Sequence, residues 1–429
     1  MGLQYYNGHE PPGTQNHDPM FIRFAAYGFL KNLRFFEPFL ILIFRAAGLS
    51  YLEIGLLYSI RSFTAQILEI PTGVFADAVG RRRTMVLAFT SYIVSFLLLF
   101  VSSGFQLMAV GMVLFGLGEA MRSGTHKALI LQYLALNGRE KEALSYYGRT
   151  RAASQLGSAM NAIVAAGLVW FTGSYRAMFA AATVPYVLDL VNLASYPREL
   201  DGISGHHTSE SIWSRLASTI RATWAQLKEG TAFKVINSSA MFSGVFETSK
   251  DYLQPLIRDL ALGLPLFLYL DDQKRTSALI GIVFAALYFM TSMASRNSVT
   301  IAKWQGGKSR AANRLYLIGS FILVAAGMIW HFDLLILASL LLIVLYLIQN
   351  ARKPMMVAII SEALENRVMA SGLSIEAQLK SIYVVILAPL VGYAADVWGI
   401  GVAVAMLGVL LSVFIWLARV EPSTLEHKV

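Results

Sequence analysis

The chain has 429 residues, 56% of them hydrophobic and 14% charged, against about 25% charged in soluble domains. That balance excludes a soluble protein of this size, and the absence of cysteine excludes disulfides, thiol catalysis and cysteine-held metal. The net charge of +9 does not indicate nucleic-acid contact, because the basic residues gather in short turns between apolar runs. Ala152–Tyr175 and Val397–Ala418 are charge-free and exceed the roughly 20 residues that a helix needs to cross a bilayer. The pattern is that of an all-α polytopic membrane protein.

In chain order, residues 1–19 are polar, contain Pro11-Pro12-Gly13 and lack the basic-then-apolar pattern of a leader; they read as a cytoplasmic tail. Twelve apolar spans follow, at 20–46, 51–76, 84–102, 105–134, 147–172, 176–197, 232–258, 276–300, 312–330, 333–362, 373–395 and 398–419. The turns after spans two and eight carry Arg81, Arg82, Arg83, Lys303, Lys308 and Arg310. Those after spans three, nine and eleven carry no Lys or Arg, which puts both termini in the cytoplasm. Between spans six and seven, 198–231 is a polar linker. Within it, Ser211–Lys228 reads as an amphipathic helix on the inner membrane surface. His206 and His207 there lack a third ligand and read as solvated rather than metal-binding. Residues 421–429 form a short cytoplasmic tail.

The two sets of six spans repeat each other weakly. Phe35-Phe36-Glu37-Pro38-Phe39-Leu40 parallels Tyr252-Leu253-Gln254-Pro255-Leu256-Ile257, and Arg122–Ile130 parallels Arg352–Ile360. Such parallel repeats produce a two-fold axis along the membrane normal. The most distinctive turn is GVFADAVGRRR at 73–83, with glycines for a tight reversal and a single carboxylate, Asp77, before three arginines. It resembles the signature of the Major Facilitator Superfamily, matched in order by Gly73, Asp77, Gly80, Arg81 and Arg82, although Ala78 stands where a basic residue is expected.

The resemblance implies twelve transmembrane helices in two pseudo-symmetric six-helix bundles, 20–197 and 232–420, with spans one, four, seven and ten around a central cavity. It also implies a gating role for those five residues, with Asp77 capping the N-terminal end of span eleven near Ser371–Ser374 when the cytoplasmic side is closed. Two family features are missing: Met112 occupies the arginine position before Gly116-Leu117-Gly118, and span five has no proline, so a standard drug antiporter is disfavoured.

Charges inside a bilayer are costly and face a wet cavity or a partner. Here they fall in spans one, four, seven and ten and are missing from the interiors of three, nine and twelve; Asp189 in span six is an exception without an evident partner. Helical spacing puts Tyr27, Lys31, Arg34 and Pro38 on one face of span one, with Glu37 a turn beyond Arg34. Span four presents Glu119, Arg122 and His126, then Lys127; span seven presents Glu247, Lys250, Asp251 and Gln254; span ten offers Gln349, Asn350, Arg352 and Lys353. Arg61, Glu376 and Lys380 complete the lining.

Two readings compete. In the structural one, salt bridges such as Arg34–Glu37 and Glu119–Arg122 lock helices together. In the functional one, Tyr27, Lys31, Arg34, Arg122, Lys250, Gln254, Arg352 and Lys353 bind solute, while Glu37, Glu119 and Glu247 carry protons. Arg34, Arg122 and Arg352 are then expected to converge on one anionic group. Eight cations (Lys31, Arg34, Arg61, Arg122, Lys127, Lys250, Arg352, Lys353) stand against five carboxylates (Glu37, Glu69, Glu119, Glu247, Asp251), favouring an anionic or zwitterionic solute.

The expected activity is secondary transport by alternating access, coupled to protons, in a monomer embedded in the lipid of a bacterial inner membrane. No phosphate-binding Gly-rich stretch, cofactor or metal set is present, and no enzymatic activity is expected. The alternatives are a multidrug or metabolite efflux pump of the same fold and a non-transporting receptor or scaffold.

Overall fold

The computed structural model describes residues 18–201, 230–265, 268–364, 369–415 and 419–420. The tail before Asp18, the amphipathic helix expected at 211–228 and the tail at 421–429 lie outside the described residues. All regular structure among the described residues is helical.

Asp18 starts the first helix, α1 (Pro19–Leu30): its Oδ1 accepts the N–H groups of Met20 and Phe21 at 3.0 and 3.2 Å, and Pro19 needs no donor there. The hydropathy pattern predicts one helix over 20–46, but the chain leaves helical geometry at Lys31. It resumes through a single 3-10 turn, Glu37–Phe39, and α2 (Leu40–Ala46). Next come α3 (Tyr51–Val79), α4 (Arg81–Val101) and α5 (Phe105–Arg122). Span four then breaks at Ser123-Gly124, where Gly124 has φ +70°, and continues as α6 (Thr125–Leu136). The first half ends with α7 (Ala143–Thr172) and α8 (Ala177–Ala194).

Span seven repeats the break of span one: α9 (Gly230–Ser249) gives way to a 3-10 turn, Lys250–Tyr252, before α10 (Leu253–Gly263). The remaining helices are α11 (Asp272–Arg296), α12 (Ser298–Trp304), α13 (Lys308–His331), α14 (Leu335–Ala363), α15 (Met369–Trp398) and α16 (Ile400–Val413). Among the described residues, eight helical segments are long and apolar enough to cross a membrane. The other four expected spans are the two broken at a 3-10 turn, the charge-bearing α3 and the short α16.

Pro38 accounts for part of the first break, since it has no N–H to offer the preceding turn. Gln254, from the other half, accounts for the rest. Its side-chain amide inserts between the Ile41 N–H and the Glu37 carbonyl, the pair that an unbroken helix would join. It accepts from the first and donates to the second, both at 2.9 Å. One half therefore holds open the helix of the other.

The halves meet where α3 packs on α15 and α7 packs on α11. One end of the molecule carries the basic turns after α3 and α12; the opposite end carries the turns at Ser103, His331 and Gly399. Contact between halves is closest toward that opposite end. A side chain at Gly55 would meet the Ala388 carbonyl at 2.2 Å, and one at Gly392 would meet the Tyr51 carbonyl at 2.2 Å. Asp396 caps α3 through the N–H groups of Tyr51 and Leu52, at 2.9 and 2.8 Å, and Ser59 donates to the Val385 carbonyl at 2.8 Å. Toward the basic end, a side chain at Gly73 would meet nothing within 4 Å and Asp77 is 63% exposed.

Candidate functional site: a charged cavity between the halves

The breaks in spans one and seven deliver charge to the middle of the molecule. A cavity of about 270 Å³ lies between the halves, walled by Glu37, Tyr58 and Arg61 on one side and by Glu247, Lys250, Asp251, Tyr288, Tyr346 and Asn350 on the other. Because the chain is not helical at 31–36, Lys31, Arg34 and Glu37 do not have to share one helical stripe.

The cavity's ion pairs only partly follow the helical spacing. Arg34 Nη1 meets Glu37 at 3.0 Å and Glu119 at 3.6 Å, and Arg61 meets the other oxygen of Glu119 at 3.2 Å. These four residues from α3, α5 and the span-one break form one chain of alternating charge. Arg34 also donates to the Tyr186 hydroxyl at 2.6 Å and stands 5.1 Å from the Phe115 ring centre. Across the cavity, Lys250 pairs with Glu247 at 2.7 Å. Asp251 makes no salt bridge among the described residues, and it faces the same space as the Tyr58 hydroxyl.

The expected Glu119–Arg122 pair is not formed. Arg122 turns toward α4, donates to the Tyr92 hydroxyl at 3.1 Å, and lines a second chamber inside the first half. That chamber, about 370 Å³, is bounded by α1, the α5–α6 break and α7, and includes Tyr27, Lys31, His126, Lys127 and Arg151. Tyr27 stacks on His126 with ring centres 3.5 Å apart, and Lys31 Nζ lies 5.1 Å from the Tyr27 ring centre. A smaller space of about 150 Å³, touching Lys31, Arg34, Glu37, Arg122 and Tyr288, lies between chamber and cavity.

Two expected ligands stand elsewhere. Arg352 is 1% exposed and faces α9 and α13 rather than the cavity. It donates to the Ser238 hydroxyl at 2.7 Å and to the carbonyls of Ser238 and Ala312 at 3.2 Å, with the Phe242 and Tyr316 rings at 4.9 and 5.4 Å. The three arginines therefore do not converge: Arg34 and Arg122 flank the neck space, and Arg352 is enclosed in the other half. Gln254 is fully buried and bonded to backbone, so it is a brace and not an open ligand. Lys353 is exposed and lines none of the three spaces.

The signature turn is also rearranged. Gly80, at φ +110°, joins α3 to α4, and Asp201 packs so close that a side chain at Gly80 would meet its carboxylate at 2.7 Å. Asp201 caps α4 through the N–H groups of Arg82 and Arg83, at 3.0 and 3.3 Å, and pairs with the Arg82 side chain at 3.4 Å. Arg81 donates to Gln132 at 3.1 Å. In this conformation Asp77 meets Arg81 of its own turn at 3.8 Å, whereas its cap on span eleven is expected once the basic end closes. Sequence reasoning missed Asp201 because it lies 119 residues from Arg82 in a polar segment. Asp189, left without a partner by the sequence, is fully buried; Asn192 donates to one oxygen at 3.1 Å, and the other has no hydrogen-bond partner among the described residues.

Helical spans in two pseudo-symmetric halves, with a charged cavity between them and contact closest at one end, define a secondary transporter rather than an enzyme. The family description of the Major Facilitator Superfamily matches residues 20–375, and the chain belongs to that superfamily. No curated protein matches the chain in sequence. Among solved structures, it is similar to the nucleoside transporter NupG (TM-score 0.72, 11% identity, covering 93% of this chain and 98% of that one). It is also similar to a bacterial homolog of the human lysosomal transporter Spinster in an inward-facing, occupied conformation (0.67, 14%, 92% and 95%). A D-xylose–proton symporter follows (0.63, 14%, 94% and 98%). At such identities these likenesses establish the fold.

Proposed function

We propose that the protein moves a small zwitterionic or anionic solute by alternating access, with the basic end in the cytoplasm and the conformation described open toward it. The observation that carries this reading is the cavity between the halves, which presents both signs of charge from both halves while contact is closest at the opposite end. A solute with one sign of charge would leave part of that lining uncompensated, whereas a zwitterion satisfies both. The cavity itself carries three carboxylates and two cations, so it suits the cationic end of such a solute; Lys31 and Arg122, which make no salt bridge among the described residues, would meet the anionic end.

Proton coupling belongs to the same proposal. Glu37, Glu119 and Glu247 each face a cation within 4 Å, so protonating any of them would strand that cation. Asp251 has no such partner and is the carboxylate best placed to exchange a proton with the cavity. The test is uptake into proteoliposomes from a panel of amino acids, carboxylates and cations, with and without a pH gradient. Uptake of a zwitterion or anion that the gradient stimulates, with the stimulation lost in Asp251→Asn while solute exchange persists, is the expected result. Uptake confined to cations would refute the solute class. Orientation is read separately in this cysteine-free chain. Single cysteines at the exposed positions Ser103 and His331 should label from outside intact cells, and one at Lys303 should not.

A further inference from the structure

The chamber inside the first half is set apart from the central cavity by its charge. Its wall carries Lys31, Arg122, Lys127 and Arg151, and no Asp or Glu lines it. None of the four makes a salt bridge among the described residues: Lys31 and Lys127 lie over tyrosine rings, and Arg122 is bonded to a tyrosine hydroxyl. Elsewhere around the site, cations are neutralised, as Arg34 and Arg61 are by Glu119 and Lys250 is by Glu247. Four cations without a salt bridge around about 370 Å³ repel one another, which favours water or an anion in the space.

The remaining wall is also suited to an oxyanion. Thr150, Ser154, Gln155 and Ser158 of α7 supply hydroxyl and amide groups beside Arg151 on the same helix. Lys31 and Arg122 are half-buried at the inner part of the chamber, next to the neck space that also touches Arg34 and Glu37. Lys127 and Arg151 are exposed. We propose that this chamber is an oxyanion site separate from the central cavity, and that it takes a phosphate-class dianion. A single carboxylate would leave three of the four charges unmatched, whereas a phosphate or phosphate monoester brings nearly two charges and three acceptor oxygens. Arg122 supplies the planar donor pair, with Lys31 as a point charge beside it. Lys31 and Arg122 are also the groups proposed for the anionic end of the transported solute, so the test below reads phosphate binding at this chamber apart from uptake.

The test measures binding without transport. Purified protein in phosphatidylcholine nanodiscs is titrated with radiolabelled inorganic phosphate in chloride-free buffer. Parent protein is compared with Arg122→Gln, Lys31→Gln, Arg151→Gln and, as a control for net charge, Arg296→Gln at an exposed site on α11. Saturable binding that falls roughly tenfold to a hundredfold in Arg122→Gln and Lys31→Gln, by less in Arg151→Gln and not in Arg296→Gln is the expected result. The source of the phosphate group is settled in a parallel arm with phosphatidic acid in the nanodiscs and native mass spectrometry. Lipid retained by the parent, lost in the chamber variants and not displaced by inorganic phosphate would assign the oxyanion to a lipid headgroup. Absence of both kinds of binding, or binding equal in parent and chamber variants that remain monodisperse, overturns the proposal. Loss of binding in all variants including Arg296→Gln would show non-specific charge attraction and overturn it too.

Discussion

Arg122 and Arg352 occupy matching places in the two halves, yet the structure gives them opposite surroundings. Arg122 is half-buried on the wall of a polar chamber and donates to the Tyr92 hydroxyl. Arg352 is enclosed, with its donors directed at two carbonyls and a serine and two aromatic rings beside it. A repeated arginine thus serves as an available charge in one half and as a strut in the other. The difference lies in the neighbours. Tyr92 of α4 draws Arg122 aside, whereas α9 and α13 surround Arg352 with backbone acceptors.

The largest effect expected from breaking this comparison is at the strut. Arg352→Ala leaves a void and two buried carbonyls without their donor, and should lower stability by roughly 3 kcal/mol or more, read as thermal unfolding in detergent. Arg122→Ala should lower it by about 1 kcal/mol, the value of one hydrogen bond, while removing solute or phosphate binding. Equal losses of stability at both positions would show that the two arginines play one role.

A smaller effect tests whether the halves brace each other. Gln254→Leu removes the amide between Ile41 and Glu37 and should cost about 1–2 kcal/mol, moderated because span one can then close its own hydrogen bond. A cysteine at Tyr51, on the closed end of α3, should label faster in this variant. Unchanged labelling would mean that Gln254 does not hold the halves together.

The smallest effect concerns the basic end, where Asp18 ties α1 to α6 and α7. Burial raises its pKa, but hydrogen bonds from Tyr133, the Phe21 N–H, Arg139 and Tyr146 outweigh it, so the carboxyl titrates below its ordinary 3.8. A lowered folded-state value means that the stabilisation is present above the unfolded pKa and is lost as pH falls through the folded one. Thermal stability of the parent should therefore decline below about pH 4, and Asp18→Asn should flatten that decline. Asp18→Ala also loses the helix cap, worth about 1 kcal/mol at neutral pH.

Which parts of this were legible in the sequence follows from what fixes each of them. The position of charge in spans one, four and seven was legible because its cost in a bilayer confines it to cavities or partners, and Arg34 meets Glu37 as helical spacing suggests. The breaks were half legible: Pro38 and Gly124 are visible in the sequence, but the inserted amide of Gln254 comes from 213 residues away. Gln254 reads as a solute ligand until its partners are seen to be backbone. Glu119 was matched to Arg122 by spacing, whereas rotation about the helix turns it toward Arg34 and Arg61 on other elements. Arg151 went unnoticed as a chamber residue because it stands at the edge of an apolar span, where basic residues are ordinary. The cap of α4 beside the signature turn was not legible, because Asp201 lies far from that turn in the sequence.

The most direct test of alternating access measures both ends of the molecule at once. Spin labels are placed at Ser103 and His331 on the closed end and at Arg83 and Lys303 on the basic end, all exposed positions in a chain without native cysteine. Pulsed dipolar spectroscopy in nanodiscs then follows the two distances across pH and a panel of amino acids, carboxylates and organophosphates. Alternating access predicts that the 103–331 distance lengthens as the 83–303 distance shortens, under at least one of these conditions. Distances that stay fixed throughout, or that change in the same direction at both ends, would contradict it.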